Sequence, residues 1–191
     1  MKNIKKISNW LYIRKKKTHF SVKRKNISKL KKWVLNSGKI YHSSGKFFQI
    51  LGIRVKSNFF VNNSWDQPII FQNEKGILGI IRHYSRGKTE YLLQAKAEPG
   101  NINKLQLSPT VQATRSNYNR VHSGKRVKYL NFFKNLKKRK VLVNSLQSEQ
   151  GGRYLYKHNR NIMINIMSKI KPSPNYIWLS KQDICECIYK N

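Results

Sequence analysis

Acidic residues are the scarcest chemistry in this chain. Seven Asp and Glu stand against 40 Lys and Arg in 191 residues, a formal charge of +33, and no acid precedes Asp66. Between Tyr91 and Gln182 the only carboxylates are Glu98 and Glu149. A hard-metal cage needs several oxygen ligands in one place, so no metal site is expected. Cysteine is almost as rare. Cys185 and Cys187 form a lone C-x-C, too close for a disulfide framework and without the second pair of ligands that structural zinc needs. They read as free thiols in a reducing compartment. No apolar run approaches a membrane span, and the N-terminal lysines lack the apolar core of a signal peptide. A cytoplasmic protein without membrane contact is the expectation. Neither G-x-G-x-x-G nor G-x-x-x-x-G-K-[ST] occurs, which removes a Rossmann domain and a P-loop.

What is present suffices for one domain with a core: 39% apolar and 12% aromatic residues. Residues 1–26 read as a basic arm, with Trp10, Leu11, Tyr12, Ile13 and Phe20 set among cations, and residues 27–191 as the domain. Such a field attracts polyanions, nucleic acid among them. Lysine, asparagine and isoleucine rising together along the whole chain is also the mark of an AT-rich coding bias, so nucleic acid is the less favoured partner.

The coarse pattern is α+β, with strands outnumbering helices. Ser28 caps a predicted short helix in which Leu30, Trp33 and Val34 share a face. Strands follow at 40–42 and 47–55, joined through Ser43-Ser44-Gly45. Pro68 leads into an edge strand at 69–71. Residues 76–84 and 89–98 read as a strand pair across the turn 85–88. Tyr129, Phe132, Phe133 and Leu136 fall at helical spacing, with Lys137, Lys138, Arg139 and Lys140 closing the helix. A buried strand is expected at 141–146, an alternating one at 161–166, and a last helix within 177–188.

The chemistry concentrates in residues 94–118, QAKAEPGNINKLQLSPTVQATRSNY, where only Lys96 and Lys104 represent the lysine-rich text around them. Tyr91, Leu93, Ala95 and Ala97 share one strand parity and Leu92, Gln94, Lys96 and Glu98 the other, so an apolar face backs a polar one. Pro99-Gly100-Asn101 supplies a turn. Alternation then resumes over 105–108 and, after Pro109, over 110–118, where Gln112, Thr114, Ser116 and Tyr118 line up opposite Val111, Ala113, Arg115 and Asn117. Two polar-faced extended segments joined by a turn make a pocket wall.

This block, continued by Arg120-Val121-His122, resembles the signature of the NDP-hexose 2,3-dehydratases. Further blocks resemble the family in the same order: YHSSGKFF at 41–48, WDQPII at 65–70, GILG at 76–79, LQSEQGGR at 146–153 and NRN at 159–161. The resemblance covers roughly residues 27–179.

It implies a Nudix-like mixed sheet sandwiched by helices, without the clustered glutamates of the Nudix hydrolases. The substrate class it implies is dTDP-4-keto-6-deoxyhexose, dehydrated across C2 and C3 without a redox cofactor or metal. Family enzymes resemble a tandem duplication of this unit, and one copy is present here. The resemblance therefore implies a homodimer or assembly with a second-repeat chain, and an incomplete, inactive half is the alternative. For base and acid the candidates are Glu98, then Tyr118 and His122; Glu98 pairing with Lys96 or Arg115 is the structural alternative. Lys96 and Arg115 suit diphosphate binding or carbonyl polarisation. Gln94, Gln106, Ser108, Thr110, Gln112, Thr114, Ser116 and Asn117 offer groups for sugar and base recognition, with Asn101 and Arg120 in the same set. Arg153 and Arg160 are secondary phosphate candidates.

Overall fold

Period-two alternation marks the strands that hold the core. A computed structural model describes residues 2–59, 61, 64–118 and 126–189, with side chains from residue 4 onward apart from that of residue 118. Its elements are α1 (Lys2–Lys16), β1 (Trp33–Asn36), β2 (Lys39–His42), β3 (Gln49–Lys56), β4 (Ser64–Phe71), β5 (Gly76–Ser85), β6 (Lys88–Ala97), β7 (Leu105–Ser108), β8 (Val111–Ala113), α2 (Arg115–Tyr118), α3 (Asn131–Lys134), β9 (Lys140–Ser148), β10 (Tyr154–Leu155), β11 (His158–Ile166), β12 (Tyr176–Ser180) and α4 (Lys181–Tyr189). A five-stranded sheet has the order β1-β2-β3-β4-β10. A seven-stranded sheet runs β12-β6-β5-β11-β9, with β7 added to β6 and β8 to β5. Both are mixed, because β10 joins β4 and β11 joins β5 in parallel. The architecture is α+β.

The first sheet contains a single buried residue, Ile69. The second holds the core on both faces. On one face Ile81, Leu92, Val111, Ile162 and Ile164 meet Leu130 and Phe133 of the segment around α3. On the other, Leu93 and Leu179 meet Ile7 of α1, with Leu11 and Ile184 packed alongside. Gly79 allows the first contact: a Cβ there would lie 2.6 Å from the Phe133 ring.

The β5–β6 hairpin turns through Arg86 and Gly87, at φ 49° and 74°, and pairs from Ser85↔Lys88 to Ile81↔Leu92. Beyond that rung the strands part. β7 takes the place of β5 beside β6, from Gln94↔Ser108 to Ala97↔Leu105, and β8 takes the place of β6 beside β5. Thr110 sits in the fork with no exposed surface. Its Oγ1 accepts the Ile81 N–H at 2.9 Å and donates to the Leu92 carbonyl, so one hydroxyl replaces the missing rung.

Several sequence expectations change. Residues 69–71 are not at an edge, because Ile70 and Phe71 pair with Tyr154 and Leu155 of β10. The helix expected over 129–136 is reduced to α3 and a 3-10 turn at Leu136–Lys138, and Lys140 opens β9. Residues 28–34 form a 3-10 turn at Ile27–Lys29 and then β1, because the turn at Ser37-Gly38 (φ 50° and 72°) pairs Leu35 with Ile40. Trp33 and Val34 favour strands, and hairpin pairing outweighs the helical spacing. Residues 141–146 belong to an edge strand, with Leu142, Val143 and Leu146 exposed. The last helix starts only at Lys181, since Ile177–Leu179 pair with Tyr91–Leu93 in β12; Ser180 and Asp183 then cap one another's backbone N–H groups at 3.1 and 2.9 Å. Residues 110–118 break after Ala113 into α2. In the segment read as an arm, α1 presents Ile4, Ile7 and Leu11 at helical spacing, and Ile7 is 3% exposed. No helix among the described residues is long and apolar enough to cross a membrane.

Candidate functional site

Where β5 and β6 separate, the polar face of β6 leaves the core. Leu92, Gln94 and Lys96 share one face: Leu92 is wholly buried, and Gln94 and Lys96 line a cleft of about 510 Å³. Gln112 of β8 and Ser116 and Asn117 of α2 form a second wall. Arg126, Lys128 and the loop 173–176 close the third. Among the described residues the lining carries three cations and no acid.

Each wall is tied down. Gln94 Nε2 donates to the Pro109 carbonyl at 3.0 Å, which fixes its amide beside the fork. Lys96 Nζ lies 2.7 Å from Glu98 Oε1 and 3.4 Å from the Gln112 carbonyl, and Gln112 Nε2 reaches the same Glu98 oxygen at 3.4 Å. Glu74 Oε2 accepts both the N–H and the Oγ–H of buried Ser116, at 3.0 and 2.8 Å, so one carboxylate fixes the start of α2. The Glu74 carbonyl in turn accepts from Lys157, whose ammonium burial pushes down while Glu74 and Glu149 oppose the shift. Across the cleft, Ser173 Oγ accepts from Lys128 Nζ at 3.1 Å, and Tyr129 Oη accepts the Ser173 N–H at 2.9 Å. Tyr176 is 8% exposed, and its phenol is pushed up to about 12, first by burial and then by Tyr129. At neutral pH it is a fixed donor, 3.5 Å from Gln94 Oε1. Among the described residues no three His, Cys, Asp or Glu side chains gather. Clustered cations beside amides and a phenol suit an anion carrying a polyhydroxylated group.

The NDP-hexose 2,3-dehydratase family profile matches residues 4–191. The chain belongs to this family. It is 41% identical over 173 residues to a dTDP-4-dehydro-6-deoxy-alpha-D-glucopyranose 2,3-dehydratase of Saccharopolyspora spinosa, covering 90% of this chain and 36% of that protein. Proteins of the same name from Amycolatopsis orientalis and Streptomyces violaceoruber are 37% and 39% identical, over 95% and 94% of this chain and 40% and 41% of theirs. The chain thus spans about two fifths of the length of these curated relatives.

Of the residues predicted for this NDP-hexose 2,3-dehydratase unit, the fold brings Gln94, Lys96, Gln112, Ser116 and Asn117 into one cleft, with Glu98 attached through Lys96. Asn101 braces the turn, donating to the Lys96 carbonyl at 3.2 Å. Thr114 meets Ser116 Oγ at 3.1 Å, and Arg115 is exposed on α2. Gln106 and Ser108 line a groove between α1, α4 and β7 instead. Thr110 is inside the sheet. Arg153 stands next to β10, where its carbonyl accepts the Ile70 N–H, and Arg160 Nε donates to Asn144 Oδ1 at 2.8 Å on β11; neither lines the cleft. The Tyr118 side chain, Arg120 and His122 lie outside the described residues.

Sequence reasoning missed Glu74, Arg126, Lys128, Ser173, Asn175 and Tyr176. The basic pair Arg126 and Lys128 follows the recognised block after Ser123-Gly124-Lys125, which was a usable signal; Tyr176 carried none, because only the β6–β12 pairing brings it to Gln94.

Proposed function

We propose that this chain is one repeat of a sugar-nucleotide 2,3-dehydratase acting on dTDP-4-keto-6-deoxyglucose, on a Nudix-like scaffold, in the cytoplasm. The observation that carries the reading is the convergence of Gln94, Lys96 and Gln112 with Arg126 and Lys128 in one cleft, with Glu98 held 2.7 Å from Lys96. Arg126 and Lys128 take the diphosphate and the amides the sugar and base. The ketone at C4 acidifies the C3 proton. Glu98 removes it, and the electron pair moves to the C4 oxygen, where Lys96 and the Tyr176 phenol stand as donors. The C2–O bond then breaks, the 2-hydroxyl leaves as water with a proton from Tyr118 or His122, and the enol tautomerises to the 3,4-diketo sugar. Because the chain spans about two fifths of its relatives, the reading includes a partner: a second copy or a second-repeat chain.

The test is incubation with fresh dTDP-4-keto-6-deoxyglucose, alone and with a second-repeat polypeptide, following the diketo product. Turnover should fall about 10²- to 10⁴-fold in Glu98→Gln. Full turnover in both Glu98→Gln and Tyr118→Phe would overturn the assignment. The +33 charge favours one rival: salt-steep RNA binding without dTDP binding would replace the enzyme with a nucleic-acid-binding protein.

A further inference from the structure

The second wall of the cleft rests on a four-residue helix that cannot support itself. A single helical turn is unstable alone, yet α2 carries the wall residues Ser116 and Asn117. Glu74, in the segment before β5, holds it: one carboxylate oxygen accepts both the N–H and the hydroxyl of Ser116, at 3.0 and 2.8 Å. Glu74 is held in turn. Lys157 Nζ donates to its carbonyl, and the Gly76 N–H donates to Asn159 Oδ1 at 3.2 Å. Asn159 Nδ2 donates to the Glu149 carboxylate, and the Glu149 N–H returns to the Lys157 carbonyl at 2.9 Å. Lys157 is 5% and Asn159 9% exposed. A buried ammonium is costly without anions beside it, and two of the chain's seven acids, Glu74 and Glu149, supply them. Gly76 leaves room for the crossing, since a Cβ there would lie 2.7 Å from Asn159 Oδ1. The blocks at 76–79, 146–153 and 159–161 meet in this strut, and none of their residues is in the cleft lining.

We propose that Glu74 is a positioning residue of the cleft, which turns Ser116 inward and so aims the amide of Asn117 at the bound sugar nucleotide. The inference rests on the proposed function and adds to it one residue outside the cleft and a duty for one inside. Successive helical residues point about 100° apart. With Ser116 drawn to Glu74 and 8% exposed, the next side chain faces outward, and Asn117 is exposed. The hydrogen of the Ser116 hydroxyl is spent on Glu74, and its oxygen meets Thr114 Oγ1 at 3.1 Å. Gln94 and Gln112 are committed as well, donating to the Pro109 carbonyl and to Glu98. The Asn117 amide lines the cleft and makes no hydrogen bond to a described residue. It pairs a donor with an acceptor, the pattern that a thymine edge presents through N3–H beside a carbonyl and that a hexose presents through neighbouring hydroxyls.

Calorimetric titration of the full chain with dTDP-glucose and with dTDP tests this in a double-mutant cycle. Asn117→Ala and Glu74→Ala should each weaken dTDP-glucose about tenfold. The double variant should be no weaker than Asn117→Ala alone, because Glu74 acts through that amide. Glu74→Gln, whose amide oxygen still accepts from Ser116, should bind as wild type does. A loss shared by dTDP assigns the Asn117 amide to the nucleotide, and a loss confined to dTDP-glucose assigns it to the hexose. Where Glu74→Ala fails to fold, Ser116→Ala, which keeps the N–H bond and loses the hydroxyl, runs the same cycle. Additive losses, unchanged affinity in Glu74→Ala, or equal weakening in Glu74→Gln and Glu74→Ala would overturn the positioning role while leaving the cleft its ligand. Absence of binding of either nucleotide by wild type would overturn the proposed function, and this inference with it.

Discussion

Thr110 and Tyr176 show how one side chain acquires a role that its neighbours in sequence do not announce. The Thr110 hydroxyl closes the fork between β5 and β6 from a fully buried position. Thr110→Val keeps the shape and leaves the Ile81 N–H and Leu92 carbonyl unpaired. Urea denaturation should show a loss of about 1–3 kcal/mol, with the cleft loosened because Pro109, the preceding residue, holds Gln94. Tyr176 couples the site to alkaline pH. Its folded value of about 12 exceeds the ordinary 10.0, so the native state holds the proton more tightly than the unfolded one. The resulting stability is complete below pH 10 and is lost as pH rises toward 12, on the order of 2 kcal/mol. Stability curves of wild type and Tyr176→Phe should converge across that window; curves that stay parallel would deny the linkage. The sequence made the polarity of residues 94–118 plain but could not separate its duties. A threonine between a proline and a valine reads alike whether it meets a ligand or two backbone groups.

At the scale of elements, the β5–β6 hairpin was legible because its cues are local: alternation, and a Ser-Arg-Gly-Lys turn whose positive φ angles glycine accommodates. Its opening was not legible, since β7 and β8 replace the lost partners only in three dimensions. The same limit explains β1 and β12. Trp33 and Val34 satisfy helical spacing as well as strand propensity, and Ile177–Leu179 become a strand only because Tyr91–Leu93 offer an edge. Helix and sheet meet closely at Gly79. Gly79→Ala would drive a methyl into the Phe133 ring, and the overpacking should cost about 1–3 kcal/mol in chemical denaturation. Phe133→Leu in the same background should recover part of that loss; no change in Gly79→Ala would mean the ring is free to move.

Over the whole molecule, the central family block proved readable because it marks the fork and two walls of the cleft, while the excess of charge did not indicate which cations matter. Arg153 and Arg160 stood inside recognised blocks, yet the fold sends them to β10 and β11, and Arg126 and Lys128 flank the cleft instead. Calorimetric titration with dTDP at moderate salt, comparing the Arg126→Ala/Lys128→Ala chain with the Arg153→Ala/Arg160→Ala chain, asks directly whether the cleft is the sugar-nucleotide site. The account predicts saturable binding by wild type, at least about tenfold weaker in the first variant and unchanged in the second. Equal weakening in both, or loss only in the second, would contradict it.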